Sequence, residues 1–388
     1  MARRRVGILT GGGDVPGLNT AIKNFVWRMQ DAGYEVLGLR RGFSALLNIV
    51  PFHGADNSPW LVPLTRESTR TIDRSGGTIL HTSRINPAIM KQDAVPEHLK
   101  GEGLPTDREG CVDLTAAALK ALEFLRLDGL VAIGGDGTLT FARRLHQEGA
   151  AVVGIPKTMD NDVYGTDYCI GFSTAVTRSV NFINDLRTVA GSHERFLVVE
   201  LFGRYSGETC LLAAYLSAAD RALIAEVPFD ADKVVDLLAH DKAANPSGYA
   251  VVAVSEGAHP AGMAPFETGE ADAVGHRELG GVGRFLREAL QERTRERVIY
   301  QRLGYLMRSG PPDSLDRLVA SNFANMAADL LLAGKTGQMT SILGGKYHAV
   351  PIEVLGEGVK KVDVERFYDR EQYRPKVVGV TGLPMFLH

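Results

Sequence analysis

The chain has 388 residues, of which 45% are hydrophobic and 23% charged, which is typical of a soluble globular protein with two or three domains. Its formal net charge of −3 at pH 7 argues against nucleic acid as the main partner, because no basic excess is available to neutralise phosphates. No stretch approaches the ~20 consecutive apolar residues of a membrane-spanning helix.

Cysteine content and the basic start of the chain bear on location. The three cysteines, Cys111, Cys169 and Cys210, form no Cys-X-X-Cys pair, so the sequence predicts a reducing compartment and no structural zinc site. The basic residues 1–5 are followed by only four apolar residues, too few for the hydrophobic region of a signal peptide. We therefore expect a cytoplasmic protein without a membrane partner.

Short β-rich runs alternate with amphipathic stretches along most of the chain. In chain order the first half is predicted to contain a strand over 6–10, a helix over 18–32, a strand over 34–39, a helix over 115–125, and strands over 129–133 and 151–155. The second half continues with a helix over 173–188, a strand over 196–201, a helix over 207–219, a strand over 223–227, a helix over 232–240, a strand over 249–254, and helices over 283–294 and 316–333.

This alternation predicts an α/β fold with parallel sheets covered by helices on both faces. Ligands of such folds bind at the carboxyl ends of the strands, and each chemical motif below directly follows a predicted strand. Two stretches, 51–66 and 91–110, are rich in proline, glycine and charge. They are predicted to be surface insertions or lids.

The first motif, residues 10–19, follows the first strand and reads Thr-Gly-Gly-Gly-Asp-Val-Pro-Gly-Leu-Asn. Glycines allow the backbone to approach a phosphate closely, and the start of the following helix favours anions. A glycine-rich turn between a strand and a helix is as often purely structural. The spacing matches neither a dinucleotide fingerprint nor a Walker loop.

Two further motifs indicate phosphoryl transfer. Residues 134–138 read Gly-Gly-Asp-Gly-Thr, in which small residues admit phosphate oxygens and Asp136 can hold Mg²⁺. Residues 157–162 read Lys-Thr-Met-Asp-Asn-Asp, in which one carboxylate can take a proton from an attacking hydroxyl while Lys157 faces phosphate charge. Lipid kinases and NAD kinases also carry Gly-Gly-Asp-Gly-Thr, so this motif alone does not select a substrate.

Taken together, the motifs resemble those of the phosphofructokinase family, whose members phosphorylate fructose 6-phosphate at its 1-hydroxyl. The resemblance extends from the first strand to about residue 345. It rests on the segments 10–19, 82–84, 134–138, 156–162, 165–168, 170–172, 192–195 and 202–207, together with Glu256, Asp316 and Arg317.

The resemblance implies two doubly wound, mostly parallel α/β domains with the active site in the cleft between them. The larger, donor-binding domain is expected to comprise residues 1–171 and 307–350. The smaller, sugar-phosphate-binding domain is expected to comprise residues 172–306 and 351–388.

The resemblance also implies residue roles. Asp160 is expected to be the general base, Thr158 and Asp162 to hold the sugar and the transferring phosphate, and Asp136 to bind Mg²⁺. The residues expected to line the phosphoryl donor are Gly12, Arg84, Gly137 and Thr138. Arg84 would also stabilise the moving phosphoryl group through its planar fork of donors.

The residues expected to contact the sugar phosphate are Phe202, Gly203, Arg204, Glu256, Tyr305 and Arg308. Arg195 resembles an arginine that reaches the sugar phosphate bound to a neighbouring subunit. The resemblance therefore implies a homo-oligomer, a dimer or a tetramer, with shared active sites. Without the motif, Arg195 would be interpreted as a surface cation following a helix.

The identity of the phosphoryl donor depends on two positions. ATP-using members of the simplest bacterial type carry glycine at the position of Lys157. Pyrophosphate-using members usually carry lysine there, and an acid at the position of Gly137. This chain combines Gly137 with Lys157, and Gly137 leaves room for an adenosyl group. We therefore expect ATP, with pyrophosphate as the alternative.

The sugar phosphate is less well determined by the sequence. The family commonly has an upstream arginine and a Gly-His pair, whereas this chain has Ile299 and the pair Gly304-Tyr305. Another sugar phosphate, such as sedoheptulose 7-phosphate, and a catalytically feeble sugar-phosphate sensor are the other interpretations. The three aspartates at 136, 160 and 162 argue against a sensor, because a binding protein needs no base.

Overall fold

The computed structural model describes residues 4–101, 106, 110–268, 278–377, 379 and 381. Its strands, in chain order, are β1 (Arg5–Thr10), β2 (Glu35–Leu39), β3 (Leu61–Leu64), β4 (Met90–Lys91), β5 (Cys111–Val112), β6 (Gly129–Gly134), β7 (Val152–Pro156), β8 (Phe196–Leu201), β9 (Arg221–Leu223), β10 (Ala250–Ser255), β11 (Glu267–Thr268), β12 (Glu278–Leu279), β13 (Val298–Arg302), β14 (Gln338–Leu343), β15 (Lys346–Pro351), β16 (Tyr368–Asp369) and β17 (Arg374–Pro375). Its α-helices are α1 (Leu18–Asp31), α2 (Ser44–Asn48), α3 (Arg66–Thr69), α4 (Thr115–Leu125), α5 (Asp136–Gln147), α6 (Phe172–Ser192), α7 (Glu208–Leu216), α8 (Ala231–Ala244), α9 (Val282–Thr294), α10 (Ser314–Leu332) and α11 (Val364–Phe367).

The larger sheet has seven strands in the order β15-β14-β7-β6-β1-β2-β3. The five central strands run parallel, and β3 and β15 close the two edges in the antiparallel direction. Its central strand β6 is buried along its whole length. Such continuous apolar runs are typical of parallel strands that are covered on both faces.

Helices cover both faces of the larger sheet. Along β6, Val131 and Ile133 belong to the core that includes α1 and α10, whereas Leu130 and Ala132 belong to a second core that includes α4 and α5. Successive side chains of a strand point to opposite faces, so this alternation places a helical layer on each side of the sheet.

The smaller sheet consists of β13-β8-β10-β9, and all its strands are parallel. Helices α6 and α9 pack on β8, and α7 and α8 pack on β10. The hairpin of β16 and β17 joins this part of the molecule, because the Ala222 N–H donates to the Tyr373 carbonyl at 2.7 Å. The predicted α/β class with two doubly wound, mostly parallel sheets is confirmed.

Most predicted elements are present within a few residues of their expected bounds, but three predictions are wrong in part. The strand predicted over 223–227 is β9, which ends at Leu223. The predicted insertion over 51–66 contains β3, whose Pro63 pairs with Leu37 at the sheet edge, where a missing N–H is tolerated. In the stretch 91–110, Lys91 pairs with Cys111, and residues 102–105 and 107–109 lie outside the described part.

Sequence reasoning missed β13, β14, β15 and α5 altogether. The domain bounds given above remain a prediction, and their residues 1–3, 269–277, 378, 380 and 382–388 lie outside the described part. Among the described helices, none has the length and apolar character that crossing a membrane requires.

Candidate active site

The motif residues meet at a cavity of about 480 Å³. Its walls come from the loops that follow β1, β6 and β7 of the larger sheet and β8, β10 and β13 of the smaller one. The predicted site residues that line it are Gly12, Arg84, Asp136, Gly137, Thr138, Lys157, Thr158, Asp160, Asp162, Phe202, Arg204, Glu256, Tyr305 and Arg308. The cavity therefore lies where the strands of both sheets end, as expected for this class of fold.

The glycines after β1 are required by close contacts with two cations. Gly12 has a φ of +79°, and a Cβ atom placed there would lie 3.2 Å from Lys157 Nζ. A Cβ atom at Gly13 would lie 2.2 Å from Arg308 Nη1, which is far inside van der Waals contact. A side chain at Gly13 would therefore force the Arg308 guanidinium to move, and one at Gly12 would crowd the Lys157 amine and strain the backbone.

Lys157 is a buried cation at the floor of the site. Its side chain is 3% exposed, and Nζ donates to the Gly13 carbonyl at 2.6 Å. Burial and, to a lesser extent, the charges of Arg308 and Arg84 together lower the pKa of Lys157 to about 8, although the charge of Asp14 opposes this. The charge of this group is consequently sensitive to pH in the neutral to alkaline range.

Asp160 and Asp162 form a pair of interacting carboxylates. Burial raises the pKa of Asp160 strongly, the charges of Asp162 and Glu256 add to this, and Arg204 opposes them. Burial also raises the pKa of Asp162. The Oδ1 atom of Asp160 is buried and has no hydrogen-bond partner among the described residues. A buried acceptor with a raised proton affinity is suited to accept a proton from a bound hydroxyl.

The loop after β6 forms another part of the cavity wall. Helix α5 begins at Asp136, and its N-cap Gly135 provides no side-chain cap. Uncapped backbone N–H groups at a helix start attract anions such as phosphate. Gly137 is exposed, and no atom lies within 4 Å of a Cβ atom placed on it. This wall therefore has space for a bulky donor as well as for its phosphates.

The donor set fits a magnesium ion that is shared with substrate phosphates. Asp136 and Asp162 both line the cavity, and the charge of Asp136 contributes to the raised pKa of Asp162. Over the described residues, no group of three or more His, Cys, Asp or Glu side chains could hold a metal ion. Mg²⁺ in phosphoryl-transfer sites commonly takes only one or two carboxylates, with phosphate and water oxygens as further ligands.

One wall of the cavity is built around Arg308. Its guanidinium carbon lies 4.8 Å from the ring centre of Tyr305 and 5.9 Å from that of Phe202. Its Nε atom is 3.8 Å from an Asp14 carboxylate oxygen and forms no hydrogen bond within the described part of the chain. A cation held by two aromatic rings with an unpartnered donor is suited to an incoming anion.

Glu256 lies on the same wall. Burial raises its pKa to about 7, although the charges of Arg302 and Arg204 oppose this. Arg302 Nη2 lies 3.5 Å from Glu256 Oε2 and belongs to β13, which sequence reasoning missed. Arg302 therefore places a cation beside this wall, three residues after the position of Ile299.

Two predicted site residues do not line the cavity. Gly203 is buried with a φ of +138°, and its carbonyl accepts a hydrogen bond from Ser255 Oγ at 2.6 Å. Arg195 lies in the turn between α6 and β8, where its N–H donates to the Ala190 carbonyl at 3.0 Å. Within one chain, Arg195 is thus separate from the other site residues.

Sequence reasoning also missed part of the cavity wall. Most of these residues are sequence neighbours of the motifs: Gly13, Val15, Ile85, Asn86, Gly135, Met159 and Tyr205. Proximity to a motif could have identified them. Leu279 and Val359 carry no such signal, because only the folded chain brings them to the site.

Comparisons with known proteins agree with this geometry. A family model described as "Phosphofructokinase" matches residues 5–331. The pyrophosphate–fructose 6-phosphate 1-phosphotransferase of Amycolatopsis methanolica is 37% identical over 373 residues, which cover 95% of this chain and 99% of that protein. The ATP-dependent 6-phosphofructokinase 3 of Streptomyces coelicolor is 35% identical over 369 residues, with coverages of 95% and 99%.

Solved structures show the same fold. A pyrophosphate-dependent phosphofructokinase from Marinobacter aquaeolei has a TM-score of 0.75 at 16% identity, covering 99% of this chain and 91% of that one. A phosphofructokinase from Saccharomyces cerevisiae has a TM-score of 0.72 at 22% identity, and the match covers 92% of this chain but only 45% of the yeast chain. The names of these relatives include both phosphoryl donors.

Proposed function

The chain belongs to the phosphofructokinase family, and we propose that it transfers the terminal phosphoryl group of Mg-ATP to the 1-hydroxyl of fructose 6-phosphate. The products would be ADP and fructose 1,6-bisphosphate, which makes the reaction a step of glycolysis. The observation that carries the proposal is Asp160, which lines the same cavity as the glycine-rich loops and Arg308 and whose buried Oδ1 has no hydrogen-bond partner among the described residues. The low cysteine content supports a cytoplasmic location.

In this mechanism Asp160 accepts the proton of the sugar 1-hydroxyl while the oxygen of that hydroxyl bonds to the γ-phosphorus of ATP. The bond from that phosphorus to the β,γ-bridging oxygen breaks at the same time, and ADP leaves. Lys157, Arg84 and the N-terminus of α5 would stabilise negative charge on the moving group. Asp136, with Asp162 nearby, would hold Mg²⁺, which neutralises charge on the donor phosphates.

The open space at Gly137 supports ATP as the donor. A nucleotide extends beyond the transferred phosphate, and no atom of the residues that the structure describes lies within 4 Å of a Cβ atom placed at this position. Pyrophosphate is the second candidate, because Lys157 is a buried cation beside the phosphate loops and the Amycolatopsis relative is named for pyrophosphate. Comparing initial rates with the two donors on fructose 6-phosphate tests the choice.

Lys157 is expected to produce an alkaline limit of activity. Its pKa is lowered to about 8, so raising the pH through that value removes the cation and should lower kcat/KM. In the pH profile of kcat, the alkaline limit should appear at higher pH, because bound phosphates favour the protonated lysine. Measured pH profiles of the wild type and Lys157→Arg check this. The arginine variant should lose the limit near pH 8, and identical alkaline limits in the two proteins would refute the assignment.

The position of Arg195 outside the cavity leads to a prediction about assembly. If Arg195 binds the sugar phosphate of a neighbouring subunit, the active species is at least a dimer, and a tetramer is proposed from the family. Arg195→Ala should raise the KM for fructose 6-phosphate by roughly 10- to 100-fold, as expected for losing a charged hydrogen bond of about 1.5–3 kcal/mol.

A mixing experiment tests the shared site directly. Arg195→Ala and Asp160→Asn chains, each weakly active alone, should regain activity when co-expressed, because some sites would combine an intact Asp160 with an intact Arg195 from the neighbour. Sedimentation at assay concentrations should show the oligomer. A fully active monomer, or no recovery in verified mixed oligomers, would rule out sharing.

A further inference from the structure

A segment far along the chain crosses the edge of the active-site cavity. We call residues 359–362 the C-terminal strap. Val359 lines the cavity and pairs with Val163 in an antiparallel bridge, and the Lys360 N–H donates to the Asp162 carbonyl at 3.0 Å. The strap therefore binds directly to the loop that carries both aspartates of the site.

The strap also contacts the smaller-sheet side of the site. The Val362 N–H donates to Glu226 Oε1 at 2.9 Å, and the same carboxylate accepts the Gly207 N–H at 3.0 Å. Gly207 is the N-cap of α7, the helix that follows β8. The strap thus connects the loop after β7, in the larger sheet, with the start of α7.

The charged side chain of Lys360 forms an ion pair within this connection. Its Nζ atom lies 3.1 Å from Glu208 Oε2 and donates to the Asp167 carbonyl at 2.9 Å. The side chains of Lys360 and Glu208 are only 14% and 5% exposed. Because both charges are largely removed from water, losing one of them leaves the other poorly compensated.

Glu208 in turn holds Asn161, the residue between the two site aspartates. The Asn161 Nδ2 atom donates to Glu208 Oε1 at 3.1 Å and to the Asp167 carbonyl at 2.9 Å, and Oδ1 accepts the Cys169 N–H at 2.8 Å. Asn161 is fully buried and has a φ of +55°. Asn tolerates the left-handed region better than most non-glycine residues, and the hydrogen bonds of its buried side chain fix it in this conformation here.

We propose that Lys360 is a positioning residue for phosphoryl transfer, which acts through Glu208 and Asn161 to hold the loop bearing Asp160 and Asp162. The inference rests on the proposed role of Asp160. Lys360 itself does not line the cavity, so its removal should alter turnover more than ground-state binding. The backbone bond from Lys360 to Asp162 remains when the side chain is changed, which isolates the role of the charge.

The test begins with Lys360→Met, which keeps an unbranched apolar stem and removes the charge and its donors. We expect kcat to fall by about 10- to 100-fold, because small misplacements of reacting groups have effects of this size, while KM for fructose 6-phosphate and ATP stays within about threefold. Lys361→Met, at the exposed neighbouring position, is the matched control and should behave as the wild type. Lys360→Arg should recover part of the lost turnover.

A double variant separates the ion pair from other effects. Glu208→Gln retains an acceptor for Asn161 but removes the negative charge, so Lys360→Met combined with Glu208→Gln should lose less activity than the product of the two single effects. If the loss of activity in the double variant equals the product of the two single losses, Lys360 and Glu208 do not act through a direct link.

Hydrogen exchange provides a readout that does not depend on activity. In Lys360→Met, amides of residues 159–163 should exchange faster, while those of β6 and α10 keep their wild-type rates. Faster exchange throughout the protein would show a structural role only and would overturn the proposal, as would wild-type kcat together with wild-type exchange in the loop. A wild-type enzyme without phosphofructokinase activity would refute the proposed function instead, and localised exchange would still report on the loop.

Discussion

Asp160→Asn is expected to lower kcat by roughly 10²- to 10⁴-fold while the protein still binds fructose 6-phosphate. An amide has almost the same size as the carboxylate but cannot accept the proton of the attacking hydroxyl. The variant should be no less stable than the wild type, because burial and the charges of Asp162 and Glu256 raise the pKa of Asp160 and disfavour its ionised form. An unchanged unfolding temperature would then exclude unfolding as the cause of the lost activity.

Steady-state kinetics, calorimetric binding of fructose 6-phosphate and thermal unfolding together check this prediction. Asp93→Asn makes the same chemical change at an exposed position outside the cavity and serves as the control. Near-normal turnover in Asp160→Asn would remove Asp160 from the role of general base.

Gly137→Asp is expected to reduce kcat/KM for ATP far more than any activity with pyrophosphate. Two like charges at about 4 Å repel by ~4 kcal/mol at an effective dielectric near 20, and solvent at this exposed position reduces that figure. We therefore expect a loss of about 10- to 1,000-fold with ATP. Pyrophosphate ends before the nucleotide's α-phosphate and would escape much of the repulsion.

Gly137→Asn separates charge from size, since it adds a neutral side chain of similar volume. A much smaller loss with Gly137→Asn than with Gly137→Asp would identify electrostatic repulsion as the cause. Equal losses in the two variants would show that the size of the side chain causes the loss. The explanation by charge repulsion would then be wrong.

Local sequence signals predicted the parallel core of the fold well. The strands β1, β6 and β8 and helix α4 have continuous or periodic apolar patterns, and their bounds agree with the predicted ones within one residue. The site motifs lie in the loops that follow these strands. Parallel strands bring their carboxyl ends to one edge of the sheet, so the motifs meet there. For these elements, short-range pattern and three-dimensional position are directly related.

The sheet edge at β14 and β15 was missed, although a local signal for it exists. Gly344 and Gly345 have φ values of +56° and +76° and form a two-residue connection between the antiparallel strands. A Gly-Gly pair is a recognised signal for such a hairpin. The strands themselves contain many polar residues, which obscures the alternation expected of an edge strand.

Other features depend on tertiary structure and have no local signal. Val359 reaches the cavity, and Lys360 reaches the aspartate loop, from a segment about 200 residues further along the chain. The lowered pKa of Lys157 arises from burial and from Arg308 and Arg84, which are distant in sequence. Sequence reasoning could identify the chemical groups but not the environment that sets their protonation.

The most direct test of the proposed function is phosphorus NMR of the purified wild-type protein with fructose 6-phosphate, Mg²⁺ and either ATP or pyrophosphate. With ATP, we expect stoichiometric formation of ADP and fructose 1,6-bisphosphate, at a kcat/KM higher than with pyrophosphate. Rapid conversion with pyrophosphate and almost none with ATP would contradict the proposed donor and identify Lys157, rather than Gly137, as the residue that determines it. No fructose 1,6-bisphosphate with either donor would contradict the proposed function itself.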